Sequence, residues 1–191
     1  MLAIFVAGGE TLRLDVDTLS RVIGCGKFLG TLSVEIRIGP LRGAVVKAFV
    51  KGLAESKMRA RVALHVPLQS TPSPDPELLR LLGKVKAQVK YLQLDYDHRN
   101  TFELDYSDLL LVLPGEENTL GEFHRAFGKD RIQHIFVLDA DCDSAEWAKR
   151  RQRPKVTIIQ VASEMVDFFR RNNRDKTTVE QPRGKRAAAA G

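Results

Sequence analysis

Short apolar runs alternate along the chain with longer segments whose apolar positions recur every three or four residues. The runs at residues 2–7, 33–38, 61–66, 108–113, 134–139 and 156–161 are rich in Val, Ile and Leu. They alternate so little between apolar and polar that each strand is expected to be buried on both faces. The intervening segments carry helix punctuation. Asp17 stands where it can cap a short helix ending at Gly24, and Pro40 can sit in the first turn of a helix with Val45, Phe49 and Leu53 on one face. Asp75 and Pro76 open another, with Leu78, Leu81, Leu82, Val85 and Val89 inward, and Thr119, Ser144 and Ser163 each precede a helical stretch. Residues 91–106 alternate Leu92, Leu94, Phe102 and Leu104 around His98, Arg99 and Asn100, which predicts an added hairpin. Strand and helix in turn predict an α/β protein: a three-layer, Rossmann-like fold on a mainly parallel, twisted sheet of five or six strands.

Composition narrows the class. The 191 residues, 43% hydrophobic and 28% charged, suit one globular domain. That domain is assigned to residues 1–171, and residues 172–191, with no apolar period, are expected to form a disordered basic tail. No apolar run approaches the roughly 18 residues of a membrane span, so a cytoplasmic location without membrane contact is expected. Cys25 and Cys142 stand alone, outside any C-x-x-C pattern.

The net charge of +6 is unevenly spread. Seven bases face two acids from Arg170 to the end of the chain, and Lys149, Arg150, Arg151, Arg153 and Lys155 cluster beside a single Glu146. Lys149, Arg150, Arg151, Arg153, Arg170 and Arg171 are therefore the candidate nucleic-acid contacts. With only 7% aromatic residues, those contacts are expected to be with phosphates rather than stacked bases.

Ligands of open parallel sheets collect beyond the carboxyl ends of the strands, where strand order reverses. Three such ends carry chemistry: Ala7-Gly8-Gly9-Glu10, Pro114-Gly115-Glu116-Glu117-Asn118 and Asp139-Ala140-Asp141-Cys142-Asp143. Convergent carboxylates can hold a hard cation such as Mg²⁺ or Mn²⁺ and activate water. Glu10, Glu116, Asp139 and Asp141 are the candidate catalytic residues, with Glu116, Asp139 and Asp141 as metal ligands. Glu122 follows Thr119 at the spacing of a capping box, and that structural role is expected for it.

The glycines and acids of Phe5-Val6-Ala7-Gly8-Gly9-Glu10 and Val112-Leu113-Pro114-Gly115-Glu116-Glu117-Asn118-Thr119, with residues 15–26 and 162–169, resemble the NYN branch of PIN-like ribonucleases. The resemblance implies a PIN-like domain, an RNA partner and metal-dependent RNA cleavage, although the family's strand-end aspartate is Ala7 here. The alternative on the same scaffold is a non-catalytic domain that binds RNA or a protein. Two further likenesses touch the central segment. Asp139-Ala140-Asp141 is similar to the Asp-x-Asp of Toprim nucleases, whose glutamate is replaced by Pro114. Pro114, Gly115, Thr119 and Glu122 are similar to the Pro-Gly-Gly-x-Gly-Thr-x-x-Glu of nucleotide-hydrolysing proteins named after lysine decarboxylase. Removing residues 172–191 is expected to weaken RNA binding and flatten its salt dependence, as measured by titration at several ionic strengths.

Overall fold

Successive side chains of a strand point to opposite faces of a sheet, and the central strands of this protein bury both. In the first strand Ile4 and Val6 enter one apolar core while Phe5 and Ala7 enter another. The computed structural model describes residues 1–10, 14–69, 73–140, 142–150 and 155–177. Its strands are β1 (Ala3–Ala7), β2 (Glu35–Ile38), β3 (Arg61–Pro67), β4 (Gln88–Leu92), β5 (Leu109–Val112), β6 (His134–Leu138) and β7 (Val156–Ile159). They form one sheet in the order β4-β3-β2-β1-β5-β6-β7, with every neighbouring pair parallel.

Helices α1 (Val16–Gly30), α2 (Ala44–Ala54), α3 (Pro76–Lys84) and α7 (Val166–Thr177) pack on one face. Helices α4 (Tyr96–Asp105), α5 (Glu117–Phe127) and α6 (Asp143–Arg150) lie on the other. The result is the three-layer α/β sandwich expected of the alternating pattern, with a somewhat larger sheet. The added strand is β4, whose Gln88-Val89-Lys90-Tyr91-Leu92 is too polar to read as a buried strand because it forms the sheet edge.

The hairpin expected at residues 91–106 is not formed. Strand β4 ends at Leu92, and Asp95 then caps α4 by accepting the amide of His98 at 2.8 Å. Helix α4 hides from a hydrophobicity pattern because its inward face carries Arg99, Asn100 and Glu103 beside Leu104. Other helix starts also shift. Asp15, not Asp17, caps α1, and α2 begins at Ala44, leaving Pro40 in the preceding loop. Thr119 lies inside α5, whose N-cap is Glu116, and Ser163 lies within a 3-10 turn, Ala162–Met165, ahead of α7. Asp75 caps α3 as expected, with Pro76 in its first turn.

Helices α1 and α2 cross closely because glycines line the contact. A β-carbon at Gly26 would lie 2.1 Å from the carbonyl oxygen of Phe49, and one at Gly52 would lie 2.1 Å from that of Ile23. Replacing Gly52 by Ala therefore forces backbone apart from backbone and is expected to destabilise the fold by about 2 kcal/mol. Urea unfolding should show a lower midpoint at an unchanged slope.

Candidate functional site

Strand β1 is followed in sequence by β2 on one side, whereas β5 returns on its other side, so the loops leaving β1 and β5 diverge to opposite faces. A crevice opens at such a branch. Its two rims are joined at the base: Gly9 donates to the carbonyl of Pro114 at 2.8 Å, and Leu113 donates to that of Ala7 at 2.9 Å. The loop after β2 closes the third side, with Gly39 donating to the carbonyl of Val6 at 2.9 Å.

Glu10 ties two of these loops together. Its Oε1 accepts the amide of Leu41 at 2.9 Å, and its Oε2 lies 3.9 Å from Nε of Arg42. Gly43 makes that approach feasible: its φ is +101°, and a β-carbon there would stand 2.3 Å from the carbonyl oxygen of Glu10.

Beneath the loops lies a polar cluster of Arg99, Asn100 and Glu122, residues that the sequence pattern assigned to a hairpin and a helix cap rather than to one another. Arg99 is wholly buried, and its Nη1 donates to the carbonyl of Gly39 at 2.6 Å. Its guanidinium also lies 4.7 Å from the centre of the Tyr96 ring. Asn100 Nδ2 donates to Glu122 Oε1 at 2.6 Å. Three polar atoms of this cluster, Arg99 Nε, Arg99 Nη2 and Asn100 Oδ1, are buried without a hydrogen-bond partner. Such atoms cost free energy unless a further group satisfies them.

Electrostatics follow from that burial. Desolvation pushes the Glu122 carboxyl up to about 7, against the opposing pull of Arg99 and Arg125 and with a further push from Glu10. Burial likewise holds the Tyr96 phenol well above its ordinary range, with the charge of Glu122 adding to the effect. The capping role expected for Glu122 is thus replaced by a hydrogen bond to Asn100. A neighbouring device lies further along α4, where Glu103 accepts from or shares a proton with His65 Nδ1 at 2.6 Å and faces Arg37 Nη1 at 3.6 Å.

The other sequence-chosen acids go elsewhere. Asp139, at the end of β6, pairs with Lys149 Nζ at 2.7 Å and accepts from Gln160 Nε2 at 2.5 Å, while Arg21 donates to its backbone carbonyl at 2.9 Å. It therefore joins α1, α6 and the end of β7, in a network separate from that of Glu10. Glu116 is exposed at the start of α5, and its side chain does not cap the helix. Asp141 lies outside the described residues. Among the described residues, no three His, Cys, Asp or Glu side chains gather as a metal site would require.

Of the bases chosen for nucleic acid, Lys149 is 3.4 Å from Glu146 as well as bound to Asp139, and Arg150 lies 3.9 Å from Glu146. Arg170 lies 3.9 Å from Asp167, and Arg171 donates to the carbonyl of that residue. Arg151, Arg153 and the tail beyond residue 177 fall outside the described residues. No described helix is long and apolar enough to cross a membrane.

No protein family matches the sequence, and no curated protein does. Solved structures do share its shape. The likeness extends over nine-tenths of the chain. The molybdenum cofactor binding protein of the phototrophic bacterium Rippkaea orientalis superposes with a TM-score of 0.66 at 16% identity, covering 90% of this chain and 97% of that one. The molybdenum cofactor carrier protein of Chlamydomonas reinhardtii gives 0.63 at 14% identity, over 89% and 96%. DNA processing protein A of Helicobacter pylori, described for its single-stranded DNA binding, gives 0.65 at 11% identity, over 90% and 81%. Identities this low establish the fold alone.

These neighbours overturn the resemblance to NYN and PIN-like ribonucleases and the nuclease reading built on it. The shared glycine turns are what any parallel sheet needs to open a crevice at its branch point, so they carried no information about chemistry.

The raised value at Glu122 gives stability a definite pH dependence. The carboxyl stays neutral in the folded chain up to about pH 7, yet ionises near its ordinary value of 4.5 when unfolded. Its contribution is complete below that lower value, declines as pH rises, and is gone above the upper one. Over that window the native protein should lose roughly 3 kcal/mol from this group, and Glu122→Gln should flatten the curve. Denaturant unfolding at a series of pH values measures both.

Proposed function

We propose that the protein is a non-catalytic ligand-binding protein whose crevice holds a small polar organic ligand of the cofactor type. The observation that carries this reading is the buried cluster of Arg99, Asn100 and Glu122, with its unsatisfied hydrogen-bonding atoms beside the branch point of the sheet. Its chemistry defines the ligand. Arg99 Nε and Nη2 call for acceptor oxygens or nitrogens, and Asn100 Oδ1 calls for a donor. Glu122 accepts from Asn100 throughout and loses its own O–H donor near neutral pH. A planar heterocycle bearing adjacent donors and acceptors meets those needs.

Two structures of the same fold belong to proteins named for the molybdenum cofactor, which supports that cofactor as the first ligand to test. The residues present fit such a group in kind, with Arg99 and Arg42 offering positive charge and Asn100 and Glu122 offering hydrogen bonds. Glu10 is engaged in joining loops, so the same crevice gives little support to Mg²⁺ or Mn²⁺ as the bound species. The reading includes a cytoplasmic location, supported by two buried free cysteines.

Calorimetric titration with molybdenum cofactor is expected to show saturable binding by the native chain. Asn100→Ala and Glu122→Gln should each weaken it by about tenfold, the equivalent of losing one well-formed buried hydrogen bond. Binding that both substitutions leave intact would remove the crevice as the site.

A further inference from the structure

The two faces of the sheet are not equally covered. Over β2, β3 and β4, one face packs against α2 and α3, whereas among the described residues the other packs chiefly against α4. Beside α4 it leaves a groove of about 630 Å³ floored by strand residues. The parallel registers Glu35↔Arg61, Arg37↔Ala63↔Gln88 and His65↔Lys90 place these side chains on that face.

The groove is strongly basic. Arg37, Arg61, Lys86 and Lys90 line it, against one acid, Glu35. Glu35 is bound to Arg37 at 2.7 Å, so its charge is already neutralised. Among the described residues, Arg61, Lys86 and Lys90 form no ion pair, and all three are exposed. Contrast the bases at Lys149, Arg150 and Arg170, each of which faces an acid of its own.

Lys86 carries a second signal. It follows α3 in the left-handed conformation, with φ of 53°, where glycine is the residue of least cost. Its amide and that of Ala87 satisfy the last carbonyls of the helix, at Gly83 and Leu82. A lysine there brings charge to the groove at the expense of backbone ease. The groove wall also holds aromatic surface. Phe102 lines it, meets His65 edge-on at 5.8 Å and lies 4.7 Å from the ring of Tyr106, which is half exposed.

We propose that this groove docks single-stranded nucleic acid, with Arg61, Lys86 and Lys90 taking the phosphates and the Phe102–Tyr106 pair offering a stacking face for a base. Unpaired cations beside accessible aromatic surface, here half-buried Phe102 and exposed Tyr106, are the combination that such strands use. A second copy of the chain is disfavoured as occupant, because two such faces would oppose like charges. The proposal concerns a face of the sheet separate from the carboxyl-end crevice and does not rest on the ligand assigned there.

The test uses the full chain and fluorescence anisotropy with labelled oligothymidylate, oligouridylate and a DNA duplex of equal length. The single strands are expected to bind more tightly than the duplex, and the two single-stranded probes show whether DNA or RNA is preferred. Lys90→Glu should weaken binding by about tenfold, and each lost phosphate contact should lower the salt slope by about 0.7. Lys86→Gly should weaken binding while leaving the thermal midpoint equal or higher, a result that misfolding cannot produce. Tyr106→Ser should reduce single-strand affinity at an unchanged salt slope. The proposal is overturned by absence of binding, by equal affinity for the duplex, by indifference to both lysine substitutions, or by binding that disappears only when residues 172–191 are removed. Molybdenum-cofactor titration of Lys90→Glu should match the native chain, so failure here and failure of the crevice reading give different results.

Discussion

Strand β1 hydrogen-bonds to β2 on one side and to β5 on the other, and the position of the candidate site follows from that one branching. Loops leaving adjacent parallel strands ordinarily turn to the same face. At a branch they turn apart, and the space between them cannot be filled by either connection. Gly9, Leu113 and Gly39 satisfy their amides at this branch, which ties the loops leaving β1, β2 and β5 to one another. Ala7, at the end of β1, is completely buried and puts no charge into it. The polar groups instead rise from α4 and α5, the helices that lie beneath the loops.

Burying Arg99, Asn100 and Glu122 together opposes folding unless their partners are good. A guanidinium withdrawn from water needs compensation, and here backbone carbonyls at the end of β2, the ring of Tyr96 and the nearby Glu122 supply part of it. The remainder is the set of unpaired atoms that defines the ligand chemistry. Polar groups left partly unsatisfied on a rigid scaffold are a preorganised recognition surface, since binding then repairs a cost already incurred in folding. The same physics explains Glu122, whose carboxyl is pushed up chiefly by loss of water, with Glu10 adding to the effect.

The two faces of the sheet differ in a way that bears on interactions. Helices α1, α2, α3 and α7 close one side, and the α1–α2 contact is tightened by Gly26 and Gly52. On the other side α5 and α6 cover β5 and β6 with Phe123, Ala126 and Ala145, while among the described residues β2, β3 and β4 are covered chiefly by α4. Charged and polar residues on the less covered strand face keep an open sheet soluble, and Glu35, Arg37, Arg61, Gln88 and Lys90 meet that requirement. The uncompensated excess of bases among them is more than solubility demands.

The amino-acid sequence by itself determined the layer architecture. Apolar runs such as Ile4 to Ala7 and Leu109 to Leu113 are buried on both faces, and Asp75 with Pro76 starts a helix through purely local hydrogen bonding. It also located the two loops of Gly8-Gly9 and Gly115 that meet at the branch. Only the tertiary structure decided the chemistry. Arg99, Asn100 and Glu103 look like a solvated polar stretch in sequence, because a one-dimensional pattern assigns polar residues to water. They are inward-facing because α4 lies against the ends of β2 and β3, where carbonyl oxygens and His65 receive them. Likewise Asp139 and Glu10 look like a converging pair of acids, yet strand order sends one to Lys149 and Gln160 and the other to Leu41. Local sequence fixes backbone preference and burial pattern, whereas the partner of a polar group depends on which distant strand lies next to it.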